Sequence, residues 1–301
     1  MGLFSGEGRL VGLRIARGTK LEWLGGSPCF VISSGVIVIE KHGSVLARLG
    51  LGTLEQFKNF DAEVIQPDRR EVLRIQTTDG EGRNLLLFMK RNWRSSKKNG
   101  LLSLLRRGRV WSLAREEWEN FKTMQRAGLQ TAGLVAYAEE CGPLWEKFSC
   151  LVTEAAVGPD NLEQFLQQGH APGQRRRIFD ALAQEVRRMH AAGVATPDFW
   201  SRHIFFDAAA VAPVFCFIDL ARLDCRQPLP RRARVRALAS LNVSAPLRLV
   251  SLRERLRFLR LYAGHVDRTL VEEIKQRTQR LLGRNKYPDF LTPAPVSVAH
   301  R

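Results

Sequence analysis

Two aspartates in different local settings, Asp198 and Asp219, are the residues whose surroundings point most directly to chemistry. Asp198 opens the stretch Asp198-Phe199-Trp200-Ser201-Arg202-His203, just beyond Met189-His190-Ala191-Ala192-Gly193, which reads as the end of a helix. Asp219 closes the apolar run Val214-Phe215-Cys216-Phe217-Ile218 and is followed by Leu220-Ala221-Arg222. A carboxylate in a loop can accept the proton of an attacking hydroxyl, and a second at a strand end can hold a metal ion on nucleotide phosphates. Upstream, Lys90 ends another apolar run, and Glu117 lies on a predicted helix further on. A strand lysine steadied by a helix glutamate, then a base, then a metal carboxylate, is the order of parts that phosphoryl transfer from a nucleoside triphosphate requires.

These residues need a strand-rich front and a helix-rich back to position them. Residues 62–66, 71–77 and 84–90 read as three strands. They are separated by Pro67-Asp68 and by Asp79-Gly80 with Gly82, which favour turns. Residues 94–109 are basic and irregular and read as a mobile or substrate-facing segment. Ser112 suits the cap of a helix over 113–126, with Glu116 and Glu117 near its positive N-terminal end. A further strand over 148–153 runs into Glu154-Ala155-Ala156 and Gly158-Pro159, where a hinge between lobes is expected. There Glu154 and Ala156 are assigned to the nucleotide. The long helix 174–192 carries Ile178, Leu182, Val186 and Met189 on one face and Gly193 at its end. The expectation is an α+β, bilobal, protein-kinase-like fold. Its strand-rich N-lobe would span 1–155, with an extension over about 1–50, and its helical C-lobe 156–301.

Each assignment competes with a plainer one. Lys90 alone could be a surface lysine, Glu117 a surface glutamate, and Asp198 a turn-capping residue after Pro197; their common order favours the functional reading. Protein kinases carry a metal-binding asparagine five residues after the catalytic aspartate. Here that position is His203, a possible metal ligand whose role stays open, since magnesium prefers oxygen. His190 is assigned to packing. The turn between the first two strands, Gln66-Pro67-Asp68-Arg69-Arg70, has no glycine to bring backbone N–H groups to phosphate, so Arg69 or Arg70 would have to serve.

A charged fraction of 26% and an apolar fraction of 45% fit a folded domain, but the net charge of +17 is unusual. Arginines cluster at Arg106, Arg107 and Arg109, at Arg175, Arg176 and Arg177, at Arg231, Arg232, Arg234 and Arg236, and at Arg253, Arg255, Arg257 and Arg260. Such a surface attracts polyanions. Arg106, Arg107, Arg109 and Arg222 are assigned to an anionic substrate. The five cysteines show no metal spacing and read as reduced thiols. No stretch is long and apolar enough to span a bilayer.

Several stretches together resemble one family, the bacterial lipopolysaccharide core kinases, which phosphorylate heptose or Kdo sugars on a kinase-like fold. They are Arg70-Glu71-Val72-Leu73-Arg74-Ile75, Leu87-Phe88-Met89-Lys90, Lys97-Lys98-Asn99-Gly100-Leu101-Leu102-Ser103-Leu104, Ala114-Arg115-Glu116-Glu117-Trp118 with Ala127-Gly128-Leu129-Gln130-Thr131, Arg187-Arg188-Met189-His190-Ala191-Ala192-Gly193, and Ile218-Asp219-Leu220-Ala221-Arg222. Residues 238–244 and 256–262 resemble its C-terminal helices. The family also has histidine five residues after the aspartate, matching His203. It usually has histidine-arginine where this chain has Thr196-Pro197, and histidine where it has Ala221. The resemblance implies an ATP- and Mg²⁺-dependent sugar kinase acting on the lipopolysaccharide core glycolipid. It would be cytoplasmic and peripheral at the anionic inner face of the inner membrane, without a nucleic-acid partner. Two other classes stay open: a pseudokinase that binds a nucleotide or partner without turnover, and a basic nucleic-acid-binding protein.

Overall fold

The computed structural model describes residues 21–24, 27–33, 35–67, 70–93 and 97–283. They fall into two compact units. The first holds the described residues up to Lys122 together with Gly133–Ala155, and the second Thr123–Ala132 with the residues from Ala156 onward.

The first unit is a twisted antiparallel sheet with helices. In chain order it contains β1 (Leu21–Leu24), β2 (Ser27–Ser33), β3 (Val36–Ile39), α1 (Gly43–Arg48), α2 (Leu54–Asn59), β4 (Glu63–Gln66), β5 (Arg70–Thr78), β6 (Asn84–Trp93), α3 (Lys97–Arg107) and α4 (Leu113–Arg126). The last residues of α4 and the short β7 (Gln130–Thr131) belong to the second unit, after which β8 (Leu134–Cys141) and β9 (Glu146–Glu154) return to the first. Strand order is β1-β2-β3-β8-β9-β6-β5-β4. The three-strand meander read from the sequence is β4–β5–β6. It occupies one end of a wider sheet whose other end the early strands build.

Alternation gives each strand two faces. One face presents Val36, Val38, Leu73, Ile75, Leu87, Met89, Ala136, Ala138, Cys150 and Val152, all buried under Val45, Leu46 and Leu51 and under Phe57 of α2. Arg91 lies on this buried face without breaking it. Its guanidinium donates to Glu71 and to the carbonyls of Lys58 (2.8 Å) and Phe60 (2.9 Å), which fixes the end of α2. On the opposite face Lys90, Leu151 and Tyr137 stand in register across β6, β9 and β8. The Trp118 ring of α4 lies 5.1 Å from Tyr137.

The basic segment before α4 is not irregular: Lys97–Arg107 is the helix α3, and Arg94 to Ser96 lie outside the described residues. Paired lysines, paired arginines and Gly100 read as a broken pattern. The glycine has a packing cause, because a Cβ there would stand 1.9 Å from the Leu144 carbonyl oxygen. The helix end is tied by Ser103 Oγ, which accepts from Trp111 N (2.8 Å) and donates to Arg109 O (3.2 Å).

The second unit is mainly helical. β10 (Asp160–Asn161), α5 (Leu162–Gln167), α6 (Pro172–Ala191), β11 (Val194–Ala195), β12 (Ile204–Phe206), β13 (Cys216–Phe217), β14 (Asp224–Cys225), α7 (Arg231–Val243), α8 (Leu252–Ala263) and α9 (Arg268–Leu282) follow in order. A small sheet runs β10-β12-β13-β7, and β11 pairs with β14. α6 buries Ile178, Leu182, Val186 and Met189, the face expected from their spacing. His190 is a core histidine: its Nδ1 meets Tyr262 Oη at 2.9 Å, and burial pushes its pKa down to about 3. Among the described residues no helix is long and apolar enough to cross a membrane. The architecture is α+β, strand-rich first and helical after.

Candidate active site

Lys90 and Glu117 meet in the first unit. Burial of Leu87 and Met89 on one face of β6 leaves Lys90 on the other, over which α4 packs. The Lys90 Nζ lies 2.8 Å from Glu117 Oε1, and the glutamate is nearly buried while the lysine is a quarter exposed. A buried carboxylate beside a partly exposed ammonium holds the charge in place. The start of α4 is fixed by groups the sequence does not flag. Leu113 N donates to Glu146 (3.1 Å), Ala114 N to Ser149 Oγ (3.2 Å), and Arg115 N to the expected cap, Ser112 Oγ (3.0 Å).

Glu154 ends β9. Its carboxylate is gripped by a segment distant in sequence, with Lys41 Nζ at 2.9 Å and His42 Nε2 at 3.0 Å. The His42 contact, reinforced by Lys41, outweighs partial burial and holds its pKa down at about 2. The side chain is therefore committed to structure. Ala155 N already donates to Leu86 O (2.9 Å). Ala156 follows as the first residue of the second unit's main segment.

In the second unit Asp198, His203, Asp219 and Arg222 come together. The loop carrying Asp198 is braced from several sides. Thr196 Oγ1 accepts from Asp198 N (3.2 Å), Ser240 Oγ of α7 donates to Pro197 O (2.7 Å), and Ser201 donates two 2.8 Å bonds to Ser244, from N to Oγ and from Oγ to the carbonyl oxygen. Thr196, Ser201 and Ser240 are buried. Thr196 thus braces the loop from two residues before Asp198. His203 joins the two aspartates: its Nδ1 lies 3.1 Å from the Asp198 carbonyl oxygen, and its Nε2 lies 3.5 Å from Asp219 Oδ2. A carbonyl only accepts, so Nδ1 carries the proton. In the neutral ring Nε2 is then a lone pair, accepting from Arg202 Nε at 3.3 Å. Asp219 itself has φ +55°, the one non-glycine residue with positive φ among those described. Aspartate and asparagine tolerate that conformation better than other side chains.

The arginines expected at an anion divide. Arg222 lies on Asp198 as a two-pronged pair, Nε donating to Oδ2 at 2.6 Å and Nη2 to Oδ1. Arg107 on α3 donates to Glu116 (3.0 Å) and stacks 3.8 Å over Trp111, while Arg109 lies 5.7 Å from the same ring. Arg106 is on α3, its side chain outside what the structure describes, as is Arg69 of the glycine-free turn.

The fold and these residues define the class first: a kinase-like phosphotransferase. Residues 55–262 match the lipopolysaccharide kinase (Kdo/WaaP) family. Among curated relatives, the chain is 30% identical to the lipopolysaccharide core heptose(I) kinase WaaP of Pseudomonas aeruginosa, covering 74% of this chain and 87% of that one. It is 27% identical to WaaP of Escherichia coli K12, over 56% and 71%. The solved structure of WaaP in complex with acyl carrier protein superposes with a TM-score of 0.61 at 25% identity, covering 82% of this chain and 98% of that one. The chain belongs to the lipopolysaccharide kinase (Kdo/WaaP) family and is a phosphotransferase acting on a sugar hydroxyl. Neither the pseudokinase nor the nucleic-acid-binding alternative finds support among these relatives.

Proposed function

We propose that the chain transfers the γ-phosphoryl group of ATP to a hydroxyl of an inner-core heptose. The substrate would be lipopolysaccharide presented at the cytoplasmic face of the inner membrane. The observation that carries the reading is His203, one ring nitrogen on the Asp198 backbone and the other facing the Asp219 carboxylate. This supports the reading by tying the loop of the proposed base to the carboxylate proposed for the metal.

Magnesium fits Asp219. His203 Nε2, which accepts from Arg202 Nε, lies 3.5 Å from Asp219 Oδ2, so the donor offered to a cation is the carboxylate. Asp219, partly exposed and held in an unusual backbone conformation, supplies a hard oxygen. Magnesium typically takes one or two carboxylates and completes its shell with water and phosphate oxygens. When bound, it would neutralise charge on the transferred group. Lys90, held by Glu117, would contact the nucleotide phosphates, and backbone groups around Glu154 and Ala156 would receive the base. Asp198 would orient the acceptor hydroxyl and take its proton as attack proceeds. The net charge of +17 suits a polyanionic glycolipid on an anionic surface.

Incubation with γ-labelled ATP, Mg²⁺ and dephosphorylated core glycolipid tests the reading. Label should appear on the heptose, and an acceptor lacking heptose should take none. Transfer only to Kdo would move the reading to the other branch of the family. Absence of any transfer, with Mg-ATP bound, would defeat it.

A further inference from the structure

The outer stripe of α8 combines exposed leucines with exposed arginines. Its inner side is fixed to the second unit. Arg255 donates inward to Val250 O and Asn242 O, both at 3.2 Å, and to Ala245 O, while Tyr262 is buried against His190. The outward side is therefore set by the fold. It carries Leu252, 67% exposed, and one turn on Leu256, 44% exposed, with Arg253 beside them and Arg260 a further turn along. Val266, in the link to α9, is 66% exposed. Between α8 and α9 runs a groove of about 540 Å³ whose lining includes Arg253, Leu256, Arg260, Val266, Leu270 and Val271.

The charges around this stripe are one-sided. The nearby carboxylates are engaged: Glu254 with Arg175 (2.9 Å), Asp180 with Arg257 (2.7 Å), and Asp267 with the N-terminus of α9 and Arg231. Arg253 and Arg260 are exposed and meet no carboxylate within ion-pair distance among the described residues. Two exposed leucines thus share one side of the helix with two exposed arginines. A helix with leucines and arginines on its outward side suits the boundary between phosphate head groups and acyl chains.

We infer that the α8 stripe is the face by which this enzyme sits on an anionic phospholipid surface, Leu252, Leu256 and Val266 entering the head-group region and Arg253 and Arg260 meeting phosphates. This rests on the proposed function only in explaining why a lipid-borne acceptor makes such a face useful.

Sedimentation with vesicles of phosphatidylglycerol and phosphatidylcholine, against phosphatidylcholine alone, tests it without ATP or lipopolysaccharide. The full chain should partition onto the anionic vesicles. Leu252→Ser/Leu256→Ser should weaken binding roughly ten-fold or more. Arg253→Gln/Arg260→Gln should weaken it about thirty-fold at low salt and less at physiological salt. Both variants should melt like the parent and phosphorylate a deacylated, water-soluble acceptor at the parent's rate. Parent-like vesicle binding by both variants would overturn the proposal. So would unchanged vesicle binding with loss of affinity for purified acyl carrier protein, which would make the stripe a protein-docking face. Absence of turnover on the soluble acceptor would count against the kinase reading and leave the vesicle result standing.

Discussion

Arg222 closes on both carboxylate oxygens of Asp198, although the two residues lie on separate stretches of the second unit. The pair fixes the rotamer of the proposed base. Arg222 is two-thirds exposed, so the pair contributes at most about 1 kcal/mol to stability. Arg222→Ala should melt like the parent and lower turnover roughly 10- to 100-fold through misplacement of the carboxylate. An increase in turnover would show that Arg222 blocks Asp198 instead of orienting it.

Asp198→Asn keeps the side-chain shape but removes the ability to take a proton. Turnover should fall by roughly 10²-fold or more, with Mg-ATP affinity in a thermal shift nearly unchanged. Parallel loss of binding and turnover would assign Asp198 to structure.

Asp219 allows charge and backbone to be separated. Asparagine tolerates φ +55°, so Asp219→Asn should fold normally and lose Mg²⁺-dependent turnover. Asp219→Val should lose turnover and also about 1–2 kcal/mol of stability, read from urea unfolding. Retained turnover in the asparagine variant would remove the metal role.

Lys90 and Glu117 should behave as one device. A double-mutant cycle on turnover with Lys90→Ala and Glu117→Ala should leave the double variant little worse than either single one. Additive losses would mean that their 2.8 Å contact does not serve catalysis.

Glu154 gives the first unit a defined acid sensitivity. Its pKa is about 2 in the fold against 4.5 ordinarily. A carboxylate depressed on folding adds stability that is fully present above the unfolded value and lost as pH falls through the folded one. Glu154→Gln should therefore lower stability near neutral pH and flatten its dependence between about pH 4.5 and 2. Identical acid-unfolding curves for parent and variant would show that Lys41 and His42 do not stabilise the carboxylate.

The meander, the helix of Glu117 and the long helix 174–192 were readable because periodicity and caps are local properties. Lys90 and Glu117 were readable as partners only through their order, since nothing local brings residues 27 apart in sequence together. The supports were not readable. Thr196, Ser240 and Ser244 look like ordinary small polar residues until α7 is packed behind the Asp198 loop. The helix α3 was missed because Gly100, which normally argues against a helix, is demanded by the approach of the Leu144 backbone. The pairing of Arg222 with Asp198 is likewise invisible in the sequence, where the two lie 24 residues apart.

The position of β3 bears on how this protein can be shortened. β3 pairs with β8 along its length, and the turn after it delivers Lys41 and His42 to Glu154. The family match begins only at residue 55. A fragment trimmed to that match would leave the hydrogen-bonding groups of β8 open on one side and would strip Val45, Leu46 and Leu51 from the core. An open strand of this kind recruits other chains. The trimmed fragment should therefore come out of the cell aggregated, with every catalytic residue still in its sequence.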